Sequence, residues 1–225
     1  MTLWSRILAA LASLAPGEAL SNLFERLRAP PERSVAFTIA VIALGAKMAK
    51  ADGHVSRAEV AAFREVFTIP PEEEDNAARV FDLARTDVAG FEDYARRIRR
   101  MFADDPETLR DLIDGLFHIA MADGTYHEGE DAFLARVAAI FGLDERAFRS
   151  LRARFGAGEP DCYEVLGVAP DTPLPQIRAA WRQAVRETHP DRMMARGLPE
   201  EAVKLAEKRL IAINRAWERI RAGTA

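Results

Sequence analysis

Cysteine is almost missing from this chain: Cys162 is the only one in 225 residues. A single thiol excludes an internal disulfide framework and suits a reducing compartment. No His or second Cys lies near enough in the sequence to make Cys162 a zinc ligand or a Cys–His nucleophile, so it reads as a small, half-buried side chain. Stretches that alternate with period two are absent over any useful length, which removes sheet architectures. Phosphate-binding loops, nucleophile elbows and zinc motifs are absent too, so nothing in the sequence marks an enzyme. An excess of basic charge is also lacking. The formal net charge is −4, which argues against bulk nucleic-acid binding.

What remains is a helical, globular chain, with 49% apolar and 29% charged residues. Its charge is uneven. From Asp161 onward there are 11 Lys+Arg against 9 Asp+Glu, so an acidic body carries a slightly basic tail module. Residues 1–30 hold two apolar stripes, Leu3, Trp4, Ile7, Leu8, Leu11 and Leu14, then Leu20, Leu23, Phe24 and Leu27, broken by Pro16-Gly17. The first is too short to span a bilayer, which takes about 20 residues. Packing on the body or a partner, a peripheral membrane contact through residues 1–29, and a signal peptide with a barely basic start all remain open.

Helical stripes follow one another across residues 34–155. They include Val35, Ile39, Ile42 and Ala46; Val60, Phe63, Val66 and Phe67; Phe91, Tyr94, Ile98 and Phe102; and Leu109, Leu112, Ile113, Leu116, Phe117 and Ala120. Short breakers such as Asp105-Pro106 and Gly142 separate them. This body contains a repeat. Ala49-Lys50-Ala51-Asp52-Gly53-His54-Val55 with Glu59 recurs as Ala120-Met121-Ala122-Asp123-Gly124-Thr125-Tyr126 with Glu130. Two related helical hairpins, one per half, fit that pattern.

Residues 156–160 form a short linker, and residues 161–222 a second helical unit. Thr172 and Pro173 read as an N-cap and first helical residue. Ile177, Ala180, Trp181, Ala184 and Val185 make the buried stripe of that helix, and Pro199 with Glu200 and Glu201 opens another. Between them stands His189-Pro190-Asp191. A proline drives the preceding residue out of the α region, so His189 should end its helix at an exposed bend. Arg178, Arg182 and Arg186 line the helix that ends there, and Arg192 follows. Stiffly held polar groups beside a positive ridge make a docking surface, and the expected product is two antiparallel helices joined by an exposed loop.

These residues resemble a J domain of the DnaJ family. Asp161-Cys162-Tyr163-Glu164-Val165-Leu166-Gly167-Val168 is similar to its first helix, and Ile177-Arg178-Ala179-Ala180-Trp181-Arg182 to its second. His189-Pro190-Asp191-Arg192 is similar to its signature loop, and Ile213-Asn214-Arg215-Ala216-Trp217-Glu218-Arg219-Ile220 to its closing helix. The resemblance implies a DnaK-type chaperone ATPase as partner. His189, Pro190, Asp191, Arg178, Arg182, Arg186 and Arg192 would dock on it and accelerate its ATP hydrolysis. Trp181 stands where the family usually has tyrosine, and Gln183 and Glu187 where basic residues are common, so the ridge is thinner than typical. The loop Met193–Pro199 and the C-terminal position resemble the DjlA-like subgroup, and the repeated Asp-Gly motif resembles its TerB-like helical domain. That subgroup usually starts with a membrane-spanning segment, and here only the short amphipathic stretch stands in its place. The resemblance implies a co-chaperone in the cytoplasm, with association at the cytoplasmic face of the inner membrane as an open question, whose TerB-like domain supplies targeting, client or ligand binding.

The Asp-Gly repeat leaves two uses open. If the two hairpins face each other, Asp52, Glu59, Asp123 and Glu130 would converge as four carboxylates able to hold a divalent cation. Alternatively they cap helices: Ser56-Arg57-Ala58-Glu59 is a capping box, and Gly53 and Gly124 would supply left-handed C-caps. No other cofactor is implied. The rival to the co-chaperone is a metal- or envelope-stress-sensing binding protein with a weak or vestigial J domain.

Overall fold

The structure is a computed structural model describing residues 3–15, 18, 20–23, 33–52, 69, 74–86, 90–122, 124, 126–155 and 160–223, apart from the side chains of Ser21, Arg33, residues 49–52, Arg85 and Glu201. Among the described residues every regular element is a helix. In chain order these are α1 (Leu3–Ala12), a 3-10 turn (Leu20–Asn22), α2 (Arg33–Asp52), α3 (Glu74–Thr86), α4 (Phe91–Met101), α5 (Pro106–Ala120), α6 (Glu128–Phe141), α7 (Glu145–Arg152), α8 (Cys162–Val165), α9 (Leu174–Thr188), α10 (Pro190–Ala195) and α11 (Glu200–Ala222).

The body is built around α2. Its sequence from Val35 to Met48 is apolar nearly all round, and a helix of that kind has to be enclosed. Here α1, α3, α4, α5 and α6 all pack against it, and Ile39, Ile42, Leu44 and Met48 are fully buried. The one long cationic side chain in that run, Lys47, lies over the ring of Tyr94 at 5.1 Å from its centroid. The N-terminal stripe goes to the same core. Trp4 and Ile7 of α1 and Leu20 and Leu23 beyond it are buried, which fits packing on the body; Phe24 and Leu27 lie outside the described residues. No helix among the described residues is long and apolar enough to cross a membrane.

Local signals set the ends of the later helices. Asp105 caps α5 by accepting from the Thr108 amide at 3.1 Å, with Pro106 as the first helical residue. Gly142 ends α6 at φ +89°, the left-handed C-cap that glycine adopts without strain. Asp144 caps α7 and Asp161 caps α8. Two expectations move. The N-cap of α9 is Pro173, with the helix starting at Leu174, not Thr172 followed by Pro173, because Pro175 fits at the second helical position. Gly124 has φ +82° but is not the C-cap of α5; Met121 takes that role at φ −87°, and Gly124 lies in the turn beyond. Gly53, the Ser56–Glu59 box and the Val60–Phe67 stripe lie outside the described residues, so the first copy of the repeat is described only as far as Asp52.

The second unit, α8 to α11, has its own core of Cys162, Val165, Leu166, Ile177, Ile213, Trp217 and Ile220. Trp181 and Trp217 stack at 5.2 Å between ring centroids, and the Trp181 indole donates to Asn214 Oδ1 at 2.9 Å. Cys162 is 4% exposed, more deeply buried than expected. The unit is not separate from the body. Met193, Leu198, Ala202 and Ala206 belong to the body's apolar core, and α11 packs on α5.

Candidate functional site

The site is a corner between α9 and α10. Arg178, Arg182 and Arg186 recur every four residues along α9 and so share one face, and all three are exposed. Arg186 donates to Gln183 Oε1 at 2.7 Å, and Gln183 donates to Glu187 Oε1 at 2.5 Å. Arg178 and Arg182 have no carboxylate partner among the described residues. At the end of the ridge His189 takes φ −63° and ψ 130°, the extended conformation that Pro190 demands of its predecessor. His189 therefore ends α9 and caps α10, and Pro190 opens α10 as its first residue.

The His189 ring is fixed from one side only. Its Nδ1 accepts from the Asp191 amide at 3.2 Å, which in the neutral ring leaves the proton on Nε2. The Asp191 carboxylate lies 3.6 Å from Nδ1, too far for a hydrogen bond, and is free to accept from a partner. The two side chains are 50% and 79% exposed. The corner thus holds an exposed imidazole and an exposed carboxylate two residues apart on backbone stiffened by Pro190. No nucleophile hydrogen-bonds this imidazole among the described residues.

The loop behind the corner is not the exposed loop expected from the sequence. Its first part forms α10, and Met193 (1% exposed) and Leu198 (7%) turn into the body. The cause is a charged and apolar seam with α5. Arg196, just past α10, lies 3.4 Å from Asp105, 3.1 Å from Glu107 and 2.7 Å from Asp111. Arg209 of α11 donates to Asp111 at 2.7 Å and lies 3.7 Å from Asp114. Arg192 reaches Glu107 at 3.6 Å, and Arg110 reaches Glu187 at 3.4 Å. Glu187 thus departs from the basic pattern of the ridge because it faces a body arginine. Arg192 is likewise shared with the body, where only partner docking was expected of it.

Beneath the seam is a cleft of about 310 Å³ between α5, α7 and α9, lined in part by Arg110, Arg154, Gln183 and Arg209. Arg154 donates to Ser150 Oγ at 3.2 Å and to the Val165 carbonyl at 3.5 Å; burial lowers its pKa to about 10, against the pull of Asp114. Burial likewise pushes the Asp114 carboxyl above the usual carboxylate range, opposed by Arg209 and Arg154, and its Oδ1 has no hydrogen-bond partner among the described residues. These groups carry little signal in the sequence: two acids, Asp111 and Asp114, on a helix whose other residues from 112 to 117 are apolar or glycine.

Of the four carboxylates considered for a divalent cation, only Glu130 is fully described. It is buried, and its Oε2 accepts from the His127 amide at 3.0 Å at the start of α6, a capping use. Glu59, Asp123 and the Asp52 side chain lie outside the described residues. Among the described residues no three His, Cys, Asp or Glu are grouped to hold a metal ion.

Two family models match. "Tellurite resistance protein TerB" covers residues 38–153, and "DnaJ domain" covers residues 161–222. Similar curated proteins are each named Co-chaperone protein DjlA. The one from Photobacterium profundum is 28% identical over 217 residues, covering 84% of this chain and 78% of the relative. That from Coxiella burnetii is 27% identical over 195 residues, covering 77% and 72%. That from Escherichia coli K12 is 23% identical over 265 residues, covering 98% of both. No solved structure matches.

Proposed function

Because this chain belongs to the TerB family, whose model spans more than half of it, and closes with a DnaJ domain, we propose that it is a co-chaperone that recruits a DnaK-type ATPase and stimulates its ATP hydrolysis through the His189-Pro190-Asp191 corner. The observation that carries this reading is the exposure of His189 and Asp191 at a corner whose backbone Pro190 fixes, next to the exposed guanidinium groups of Arg178 and Arg182. The relatives named as co-chaperones support it.

The division of labour follows from charge and geometry. Arg178 and Arg182 provide the long-range attraction toward an acidic docking surface, which raises the encounter rate and is screened by salt. The corner supplies the specific contacts, with the His189 Nε2–H as donor and the Asp191 carboxylate as acceptor. The bond-breaking chemistry takes place in the partner's active site, and this chain contributes no reacting group. The acidic helical body directs where the recruited ATPase acts, through targeting or client binding.

Association with the ATP-bound DnaK-type protein, followed by surface binding at two ionic strengths, tests the reading. Raising monovalent salt from 50 to about 300 mM should slow association several-fold and leave dissociation nearly unchanged. Arg178→Ala/Arg182→Ala should slow association at low salt and flatten its salt dependence. A wild-type chain that fails to associate at any salt concentration removes the proposal.

A further inference from the structure

The corner does not stand on the J domain alone. Its floor is helix α5 of the TerB domain. Three anchors join α10 and the turn after it to the body. Met193 is 1% exposed and Leu198 7% exposed within the body core, and Arg196, with a side chain 14% exposed, spans Asp105, Glu107 and Asp111. Asp111 is held from the other side by Arg209, so one buried carboxylate ties the middle of α11 to the turn after α10. Pro190 and Asp191 lie at the other end of the same six-residue helix, within two turns of these anchors. A helix this short has little stability of its own in water and takes its order from tertiary contacts.

The seam also leaves the docking face open. Body contacts of the second unit fall on Glu187, Arg192, Met193, Arg196, Leu198, α11 and, through Val165, on α8, while His189, Asp191, Arg178 and Arg182 stay exposed. We infer that the TerB domain presents the His-Pro-Asp corner, with Arg196 as a positioning residue that fixes α10 against Asp105, Glu107 and Asp111. This rests on the co-chaperone reading and adds a residue to it that acts through others. The alternative for such a seam is a mask over the corner, and the exposure of His189 and Asp191 disfavours it.

Arg196→Ala leaves Asp111 with Arg209 and Asp105 with Thr108, so the remaining carboxylates keep partners. Two readouts on the full chain test the inference. Amide hydrogen exchange over residues 190–198 should speed up about tenfold or more in the variant, with the protection of α9 and of α11 beyond Ile213 unchanged. In a titration of steady-state DnaK-type ATPase activity, the half-maximal concentration should rise about tenfold while the maximal rate stays within about twofold. Arg196→Lys keeps the charge but cannot span three carboxylates, so it should fall between. If Arg196→Ala loses its cooperative melt, the lysine variant decides on the same two readouts. Unchanged exchange in 190–198, or tighter half-maximal stimulation in the variant, overturns the inference, the latter in favour of a mask. If wild type stimulates nothing, the co-chaperone reading fails, and hydrogen exchange alone still decides whether α5 holds the corner.

Discussion

Replacing His189 with glutamine should reduce ATPase stimulation by about tenfold or more, the scale of a lost central contact in a small interface. The side chain is half exposed, and among the described residues its one hydrogen bond is the 3.2 Å acceptance from the Asp191 amide. Losing a cap of that kind costs less than about 1 kcal/mol, so the variant should melt with wild type. Glutamine is similar in reach but cannot hold a rigid ring N–H. Asp191→Asn should give a comparable loss by removing only the charge, since its carboxylate is 79% exposed and makes no hydrogen bond among the described residues. The checks are steady-state turnover with saturating ATPase and a thermal melt of each variant. Loss of activity with an intact melt assigns the effect to recognition. Equal stimulation by wild type and His189→Gln would remove the corner from the mechanism.

The largest effect on stability is expected at the seam. Arg209 is 8% exposed and faces two buried carboxylates, Asp111 and Asp114. Arg209→Ala removes a buried guanidinium from this network and leaves Asp111 to Arg196 alone and Asp114 to Arg154, so it should cost about 3 kcal/mol, the low end for breaking a buried pair. That is a large share of the roughly 5–15 kcal/mol that holds a domain together, and urea denaturation would show it as a lowered midpoint. Asp114→Asn should behave differently. Burial raises the Asp114 pKa, so the folded chain retains this proton over a range in which the unfolded chain has released it. The group's contribution to stability is therefore full below the unfolded carboxylate value of 3.8 and falls as pH rises through its folded value. Asparagine removes that decline. The test is urea midpoints from pH 4 to 7, where wild type should lose stability relative to Asp114→Asn as pH rises. Parallel curves would show that the Asp114 carboxyl is ionised at every pH in that range.

Much of this molecule could be read from its residues in order. Val35–Met48 announces a buried helix, Asp105-Pro106 and Gly142 mark helix ends, and the Trp181 and Trp217 stripes meet as a core pair. The corner is legible because proline geometry is local: Pro190 fixes its own conformation and that of His189 whatever lies around them. The seam is not local. Arg196 and Asp111 are 85 residues apart in sequence, and on its own each looks like a solvated charge on a helical unit. Met193 and Leu198 look like loop residues until α5 is placed under them. Glu187 looks like an erosion of the basic ridge until Arg110 is placed opposite it. Long-range ion pairs carry no periodicity, so a reading based on spacing divides the chain at the linker and misses that the two domains share a core.

Single-turnover hydrolysis of ATP bound to the DnaK-type protein measures the central claim most directly, because it isolates the chemical step from nucleotide exchange. Mixing with the wild-type chain should raise the hydrolysis rate in a saturable way, and mixing with His189→Gln at the same concentrations should leave it at the basal value. A basal rate with wild type, under conditions where the two proteins are seen to bind, would contradict the account.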